Sequence, residues 1–93
     1  MQFAIIKAGH DIRQIYQVID EDERYVYLVN GSTRTTDRPK KKSRKHVQLI
    51  KRIPEEVLHI LEETQIEENL RIERAVRVMR DQITPKGSNE QSK

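Results

Sequence analysis

The first fifty residues contain five short stretches with strand character, packed too closely along the chain for any crossover helix. Three are rich in β-branched and aromatic residues and lie at 3–6, 15–19 and 25–29. We expect a fourth strand at 33–36 and a fifth at 46–50, in which Val47 and Leu49 share one face. Since parallel strands need long crossovers, these stretches predict a small antiparallel barrel whose closure removes most strand edges.

Turn residues separate the strands. Gly9 lies in the first turn, and four consecutive acids at 20–23 predict a polar hairpin tip. The pair Asn30 and Gly31 is typical of a two-residue type I′ hairpin, in which both central residues take positive φ. Pro39 cannot donate a backbone hydrogen bond, so we expect pairing to stop there.

From Ile53 onward the pattern is helical. Pro54 suits a first helical position, and four later apolar residues recur on one helix face: Ile72, Val76, Met79 and Ile83. Ile66 and Leu70 project away from that face, which favours two helices over one. The second helix could be capped by Asn69, or begin at Thr64 with Glu67 as a capping box.

These patterns predict an α+β protein made of three segments. A five-stranded antiparallel barrel would occupy residues 1–52, and an amphipathic helical extension, made of two helices, residues 53–84. The polar remainder at 85–93 predicts a disordered tail.

Charge is concentrated in one segment. Residues 38–52 read RPKKKSRKHVQLIKR, with eight Lys or Arg and no acid, whereas the other 78 residues carry ten bases and fifteen acids. Such a run releases counterions when a polyanion binds it, which is the sequence-independent driving force of nucleic-acid binding. The plainer alternative is a solvated loop or a flexible linker.

Residues 53–84 carry four arginines against eight acids, so we expect the helices to pack on the barrel or face away from RNA. The spacing of Glu67 with Arg71, and of Glu73 with Arg77, favours ion pairs on the helix surface over an arginine stripe that reads RNA.

The basic segment supplies candidate phosphate contacts: Arg38, Lys40, Lys41, Lys42, Arg44 and Lys45. Selectivity for RNA would require stacking or 2′-hydroxyl contacts, for which the candidates are His10, His46 and whichever tyrosine among Tyr16, Tyr25 and Tyr27 faces outward. Tyr25 and Tyr27 share one side of a strand, and packing in the barrel core is the alternative role for them.

Enzyme and metal chemistry find little support in this sequence. The chain has no cysteine, its three histidines form no HExxH pair, and no glycine-rich phosphate loop is present. We therefore expect a protein without catalytic activity, bound metal or cofactor. The lack of cysteine fits a reducing cytoplasm, and no apolar run approaches the ~20 residues of a membrane span.

Several segments together resemble a known family. The opening strand with AGHD, the run YVYLVNGSTR and the segment DRPKKKSRKHVQ are similar to the small bacterial KOW-domain RNA-binding proteins, which are related to KOW-containing large-subunit ribosomal proteins. The resemblance covers roughly residues 3–50. It implies an SH3-like five-stranded barrel that binds ribosomal or other structured RNA.

The family's features map onto this sequence as follows. Ala8, Gly9 and Asp11 stand for the turn after the first strand, Asn30 and Gly31 for the hairpin tip, and Arg34 with residues 39–46 for the basic face. One departure is that Ile12 and Arg13 replace the family's usual Lys-Gly. An Arg seldom takes positive φ, so we expect a rebuilt or lengthened first loop and give more weight to residues 38–46.

Two functions follow as expectations. The first is a non-catalytic cytoplasmic RNA-binding protein associated with the ribosome or translation, with ribosomal RNA and ribosomal proteins as partners. The second is a protein-interaction module or homodimer in which the helix face from Ile72 to Ile83 forms the seam, since related KOW domains of transcription factors can dock on proteins.

Overall fold

The computed structural model describes residues 2–83 of the chain, which form an antiparallel sheet and two helices. The strands are β1 (Gln2–Ile6), β2 (Ile15–Glu21), β3 (Tyr25–Val29), β4 (Lys40–Ser43) and β5 (Val47–Ile50). They are arranged in the order β4-β3-β2-β1-β5, and a short 3₁₀ helix at Arg44–His46 links β4 to β5. The sheet curls into a half-barrel, and the α+β class with five strands is confirmed.

The fourth strand lies later in the chain than the sequence pattern indicates. β4 begins immediately after Pro39, and residues 33–36 belong to the preceding loop. The reason is the side chain of Asn30, whose Oδ1 accepts hydrogen bonds from the backbone N–H of Ser32 and Arg34. The prediction of a strand at 33–36 was therefore wrong, and so was the prediction that Pro39 ends pairing.

The loop after β3 is also not a two-residue type I′ turn. The N–H groups of Asn30 and Gly31 both donate to the carbonyl of Arg34, which closes a longer loop. Gly31 has a φ of 83°, but among non-glycine residues of the described part only Arg13 has positive φ. Asn30 therefore lacks the conformation that a type I′ turn requires.

The sheet is buried on both faces. On the concave face the strands pack against one another through Ala4, Ile6, Tyr16, Val26, Leu28 and Val47. On the convex face Phe3, Ile15 and Val29 pack against the helices. Successive strand residues point to opposite faces, so neighbours such as Phe3 and Ala4 belong to different cores. Val47 and partly buried Leu49 share the concave core, which confirms their predicted common face.

The helical half is broken into α1 (Glu55–Leu61) and α2 (Glu68–Ile83), as the position of Ile66 predicted. Pro54 lies just before α1 rather than at its first position. Glu67 caps α2, because its carboxylate accepts the backbone N–H groups of Asn69 and Leu70. Neither Asn69 nor Thr64 has that role. The backbone N–H of Asn69 is also the main cause that lowers the pKa of Glu67.

Helix α2 touches the loop after β3 at its backbone. A Cβ atom placed on Gly31 would lie 2.1 Å from the carbonyl oxygen of Asn69 and 2.5 Å from the backbone nitrogen of Glu73. The Oδ1 atom of Asn69 also accepts the backbone N–H of Thr36 at 3.0 Å. The absence of a side chain at residue 31 thus allows the helix to sit directly on the half-barrel.

The apolar face of α2 is covered by its own chain. Ile72, Val76 and Met79 are at most 3% exposed and complete the convex core, whereas Ile83 is 36% exposed. The seam proposed for a partner is therefore mostly occupied by the sheet. Arg71 does not form the expected ion pair with Glu67. Its guanidinium instead donates hydrogen bonds to the carbonyls of Leu61 and Ile66, which connects the end of α1 to α2.

Two remaining expectations concern the chain as a whole. Within residues 2–83, no helix combines the length and the apolar character that crossing a membrane would require. The expected tail at 85–93, and Thr84 at the end of the expected helical segment, lie outside the described residues.

Candidate nucleic-acid interface

The alternation of β4 divides the basic run between the two faces of the sheet. Lys40 pairs with Leu28 and Lys42 with Val26, both of which belong to the concave core. Directly paired residues of antiparallel strands lie on the same face, so Lys40 and Lys42 lie on the concave side. Lys41 pairs with Tyr27 on the convex side. The cations of this strand therefore form two groups rather than one stripe.

The first loop, residues 7–14, meets the concave group. The ammonium of Lys40 lies 2.8 Å from the carboxylate of Asp11, and a Cβ atom on Gly9 would lie 3.0 Å from Nζ of Lys42. The hydrogen bond from Lys40 is the main cause that lowers the pKa of Asp11. Gly9 and the basic strand, which are about thirty residues apart in sequence, are thus in contact.

Arg13 adopts an unusual backbone conformation in the first loop. This residue takes a φ of 75°, and its N–H donates to the carbonyl of Ile6 at 2.7 Å, while the N–H of Ile6 donates to Gln14. The loop therefore keeps the positive φ at this position that a glycine would adopt without steric cost. Arg13 thus adopts the positive φ that is uncommon for an arginine, and the rebuilt or lengthened loop stays a prediction.

Two further predicted residues adjoin the first loop. The carbonyl of His46 accepts the N–H of Lys7 at 2.8 Å, which places the end of the 3₁₀ helix beside the loop. Arg34 lies near Tyr16. Burial raises the pKa of the Tyr16 hydroxyl and the Asp11 carboxylate acts in the same direction, whereas the charge of Arg34 opposes them. We call this region, residues 7–14 and 30–40 with Lys42, the loop end.

The second group of cations lies at the turn between β2 and β3. Arg44 bonds to Glu21 at 2.6 Å and also donates to the carbonyl of Asp22. The ammonium of Lys41 lies 4.3 Å from the ring centroid of Tyr25, a cation–π distance. We call this region, residues 20–25 with Lys41 and 43–45, the turn end. It also contains a cleft of about 520 Å³ lined by Tyr25, Arg44 and Lys45, among others.

The two ends differ in charge. The loop end carries six bases and two acids: Lys7, Arg13, Arg34, Arg38, Lys40 and Lys42 against Asp11 and Asp37. The turn end carries four of each: Arg24, Lys41, Arg44 and Lys45 against Asp20, Glu21, Asp22 and Glu23. Within residues 2–83, the acids that form ion pairs with the basic run come from this hairpin (Glu21 with Arg44) and from the first loop (Asp11 with Lys40), and not from the helices. A polyanion is consequently attracted most strongly to the loop end.

The predicted site residues differ in exposure. Six of them are exposed: Gly9 at the loop tip, His10, Arg38, Lys41, Lys45 and His46. The other four are half-buried cations: Arg34, Lys40, Lys42 and Arg44. Tyr16 is only 3% exposed, so it cannot stack on a base. Tyr25 and Tyr27 do share one face, and neither belongs to a core cluster. The hydroxyl of Tyr27 donates to Asp22 at 3.2 Å.

The structure brings three residues to the loop end that sequence reasoning did not select. Gln14, Thr33 and Arg80 line one cleft there, together with Ile15, Asn30 and Ser32. The only sequence signal for Arg80 was its place in the series of arginines at 71, 74, 77 and 80, whose spacing does not distinguish one member from another.

Comparison with known proteins adds no identification. The chain matches no protein-family model and no curated protein. Within residues 2–83, no three His, Asp or Glu side chains come together as a metal ion would require.

Proposed function

We propose that the protein is a non-catalytic RNA-binding protein of the KOW type, built on an SH3-like barrel, which acts in the cytoplasm with the ribosome or in translation. The loop end would be its main RNA-binding surface. Ribosomal RNA and neighbouring ribosomal proteins are the partners that this role implies.

One observation carries the proposal. Two segments selected separately from the sequence, the loop around Gly9 and the basic run, lie against each other through Lys40, Lys42 and Asp11. Lys40 and Lys42 of β4 thus lie beside the first loop, and Arg34 lies near Tyr16 at the same end of the sheet. Such a cluster can neutralise successive phosphates without reading the bases, so it supplies affinity and leaves selectivity to other contacts.

The turn end offers those other contacts. Tyr25 is half-buried beneath Lys41, and Lys45 is exposed at the same end, whereas His46 is exposed beside the first loop. Aromatic and imidazole rings of this kind stack on unpaired bases. The acids at 20–23 reduce the pull on phosphates there, which leaves stacking as the main contribution of this end.

Salt dependence of binding tests the proposal. The probe is a single-stranded oligouridine of about 12 nucleotides, and each phosphate contact contributes a slope of about −0.7 to the plot of log affinity against log salt. Replacing both Arg38 and Lys42 with Ala should make the slope less negative by about 1.4 and weaken binding about tenfold at low salt.

The matched control is the double variant Lys51→Ala and Arg52→Ala. These two exposed cations follow Ile50, which pairs with Phe3, so they lie at the opposite end of β1 from the first loop. The control should change the slope by less than half as much. Equal slopes for the two double variants, or no measurable binding by the unaltered chain, would overturn the proposal.

A further inference from the structure

The cleft at the loop end is lined by residues from three parts of the chain. Its volume is about 380 Å³, and its walls are Gln14 and Ile15 from the end of the first loop, the loop after β3 at residues 30–33, and Arg80 from α2. No acid lines it. Arg80 is exposed, and it takes part in no ion pair with any residue between 2 and 83.

Three side-chain oxygens around this cleft already accept hydrogen bonds within the protein. Oε1 of Gln14 accepts the hydroxyl of Tyr16, and Oγ1 of Thr33 accepts Nδ2 of Asn30. Oδ1 of Asn30 accepts the N–H groups of Ser32 and Arg34. The lining side chains still offer donors to a ligand: the amide of Gln14, the hydroxyl of Thr33 and the guanidinium of Arg80.

A cleft that offers one cation and several neutral donors selects an anion with several acceptor oxygens. A phosphate group fits this description, since a guanidinium can bind two of its oxygens at once while hydroxyl and amide donors reach another. A free carboxylate has fewer oxygens for the same donors. A neutral ligand would gain no attraction from the charge of Arg80.

We infer that this cleft binds a phosphodiester of the same RNA, with Arg80 of α2 as its cationic contact. The inference rests on the proposed function, and it extends the RNA path from β4 across the loop end onto the helix. Helix α2 would then take part in binding, contrary to the expectation from the excess of acids in residues 53–84. The loop around Gly31 is held against α2, so the cleft is preformed rather than assembled by the ligand.

The test replaces Arg80 with Ala in the full chain and measures oligouridine binding over a range of salt. We expect affinity to fall about fivefold at low salt and the slope to lose about 0.7, the share of one phosphate. The control is Arg74→Ala, which removes the same charge from an exposed position of α2 about 120° around the helix from Arg80. Arg74 does not line the cleft.

A second readout separates a local contact from a general loss of charge. In the unaltered chain, RNA should shift the NMR signals of the Arg80 side chain and of the Thr33 amide. Thr33→Val should weaken RNA binding without changing net charge. Inorganic phosphate at the same phosphate concentration should shift the same signals less, because a free ion lacks the neighbouring contacts.

Equal affinity and slope for Arg80→Ala and Arg74→Ala would overturn this inference. The proposed function would still stand if the Arg38 and Lys42 double variant lost its two phosphates in the same assay. Shifts as large with inorganic phosphate as with RNA would instead identify a site for a small anion, and would also overturn it. Failure of the unaltered chain to bind RNA would remove both proposals together.

Discussion

At the scale of single residues, Arg13 has a backbone conformation that is sterically unfavourable for a residue with a side chain. Its φ of 75° lies in the left-handed region, which costs a residue with a Cβ atom roughly 1–2 kcal/mol. The conformation persists because hydrogen bonds from Arg13 and Ile6 close the loop on both sides. The hydrogen bonds of the loop thus outweigh the local preference of the residue.

Arg13→Gly should stabilise the protein. Glycine removes the steric cost but loses more entropy on folding, about 0.5–1 kcal/mol, so we expect a net gain of roughly 0.5–1 kcal/mol in the free energy of unfolding. Urea unfolding of the two proteins measures it. Arg13→Ala keeps the Cβ atom and should bring no such gain; equal stability of the Gly and Ala variants would contradict the argument.

Asp11 should make stability depend on pH at the acid end. Lys40 lowers the pKa of this carboxyl in the folded chain, so its contribution is present above the unfolded pKa and is lost as pH falls through the folded value. Both side chains of the pair are partly exposed, which limits the effect to below about 1 kcal/mol. As pH falls from about 5 through the ordinary pKa and then through the lowered one, Asp11→Asn should lose less stability than the unaltered chain in urea titrations.

The same substitution serves as a check on the RNA-binding surface. Removing the negative charge frees Lys40 and raises the positive potential of the loop end, so Asp11→Asn should bind oligouridine more tightly at neutral pH. If the free energy of unfolding of Asp11→Asn depended on pH in the same way as that of the unaltered chain, the ion pair would not contribute to folding.

At the scale of elements, the sequence predicted four strands and both helices because their apolar periodicity reflects burial. β4 escaped prediction because its residues, Lys40 to Ser43, have little intrinsic preference for a strand. It forms through pairing with β3 and contact with the first loop, both of them distant in sequence. The threonines at 33, 35 and 36 carry strand preference, but the local hydrogen bonds of Asn30 hold the first of them in a loop.

The same limit applies to the candidate site. Lysines and arginines can be counted in a sequence, but the sequence does not show which acids lie opposite them in the fold. The division of the cations into a loop end and a turn end depends on the position of the turn at residues 20–24. Arg80 reaches the loop end only because α2 docks at Gly31, a contact that no local pattern indicates.

Docking of α2 should be sensitive to any side chain at residue 31. Gly31→Ala would place a Cβ atom within 3.0 Å of three backbone atoms of α2 and force an alanine to positive φ. We expect a loss of about 2–5 kcal/mol in the free energy of unfolding, together with faster hydrogen exchange in the first turns of α2.

Gly9→Ala is the matched control for Gly31→Ala. Its φ is also positive, at 102°, but the added Cβ atom would meet only the flexible end of Lys42. Gly9→Ala should therefore cost only the roughly 1–2 kcal/mol of an alanine at positive φ, and hydrogen exchange in α2 should not change. Equal losses for the two variants would mean that contact with the helix backbone has little energetic effect.

At the scale of the whole molecule, the helices are part of the core rather than an appended element: they supply five of the fourteen buried hydrophobic residues in the described part of the chain. Phe3, Ile15 and Val29 are at most 4% exposed in the chain, and their apolar neighbours on the convex side include five buried residues of α1 and α2: Val57, Ile72, Ala75, Val76 and Met79. A fragment of residues 1–52 would return those three strand side chains to water.

Each exposed side chain would cost about 1.5–3 kcal/mol, and a small protein has only about 5–15 kcal/mol of total stability. We therefore expect the fragment 1–52 to lack a dispersed NMR spectrum and a cooperative urea transition, although it keeps the entire basic run. A peptide of residues 53–93 added in trans should restore both, because it returns the helical residues of the convex core. A fragment that folds cooperatively by itself would mean that the concave core suffices. Loss of RNA binding on truncation would then report on the helices themselves, including Arg80, and not on unfolding of the sheet.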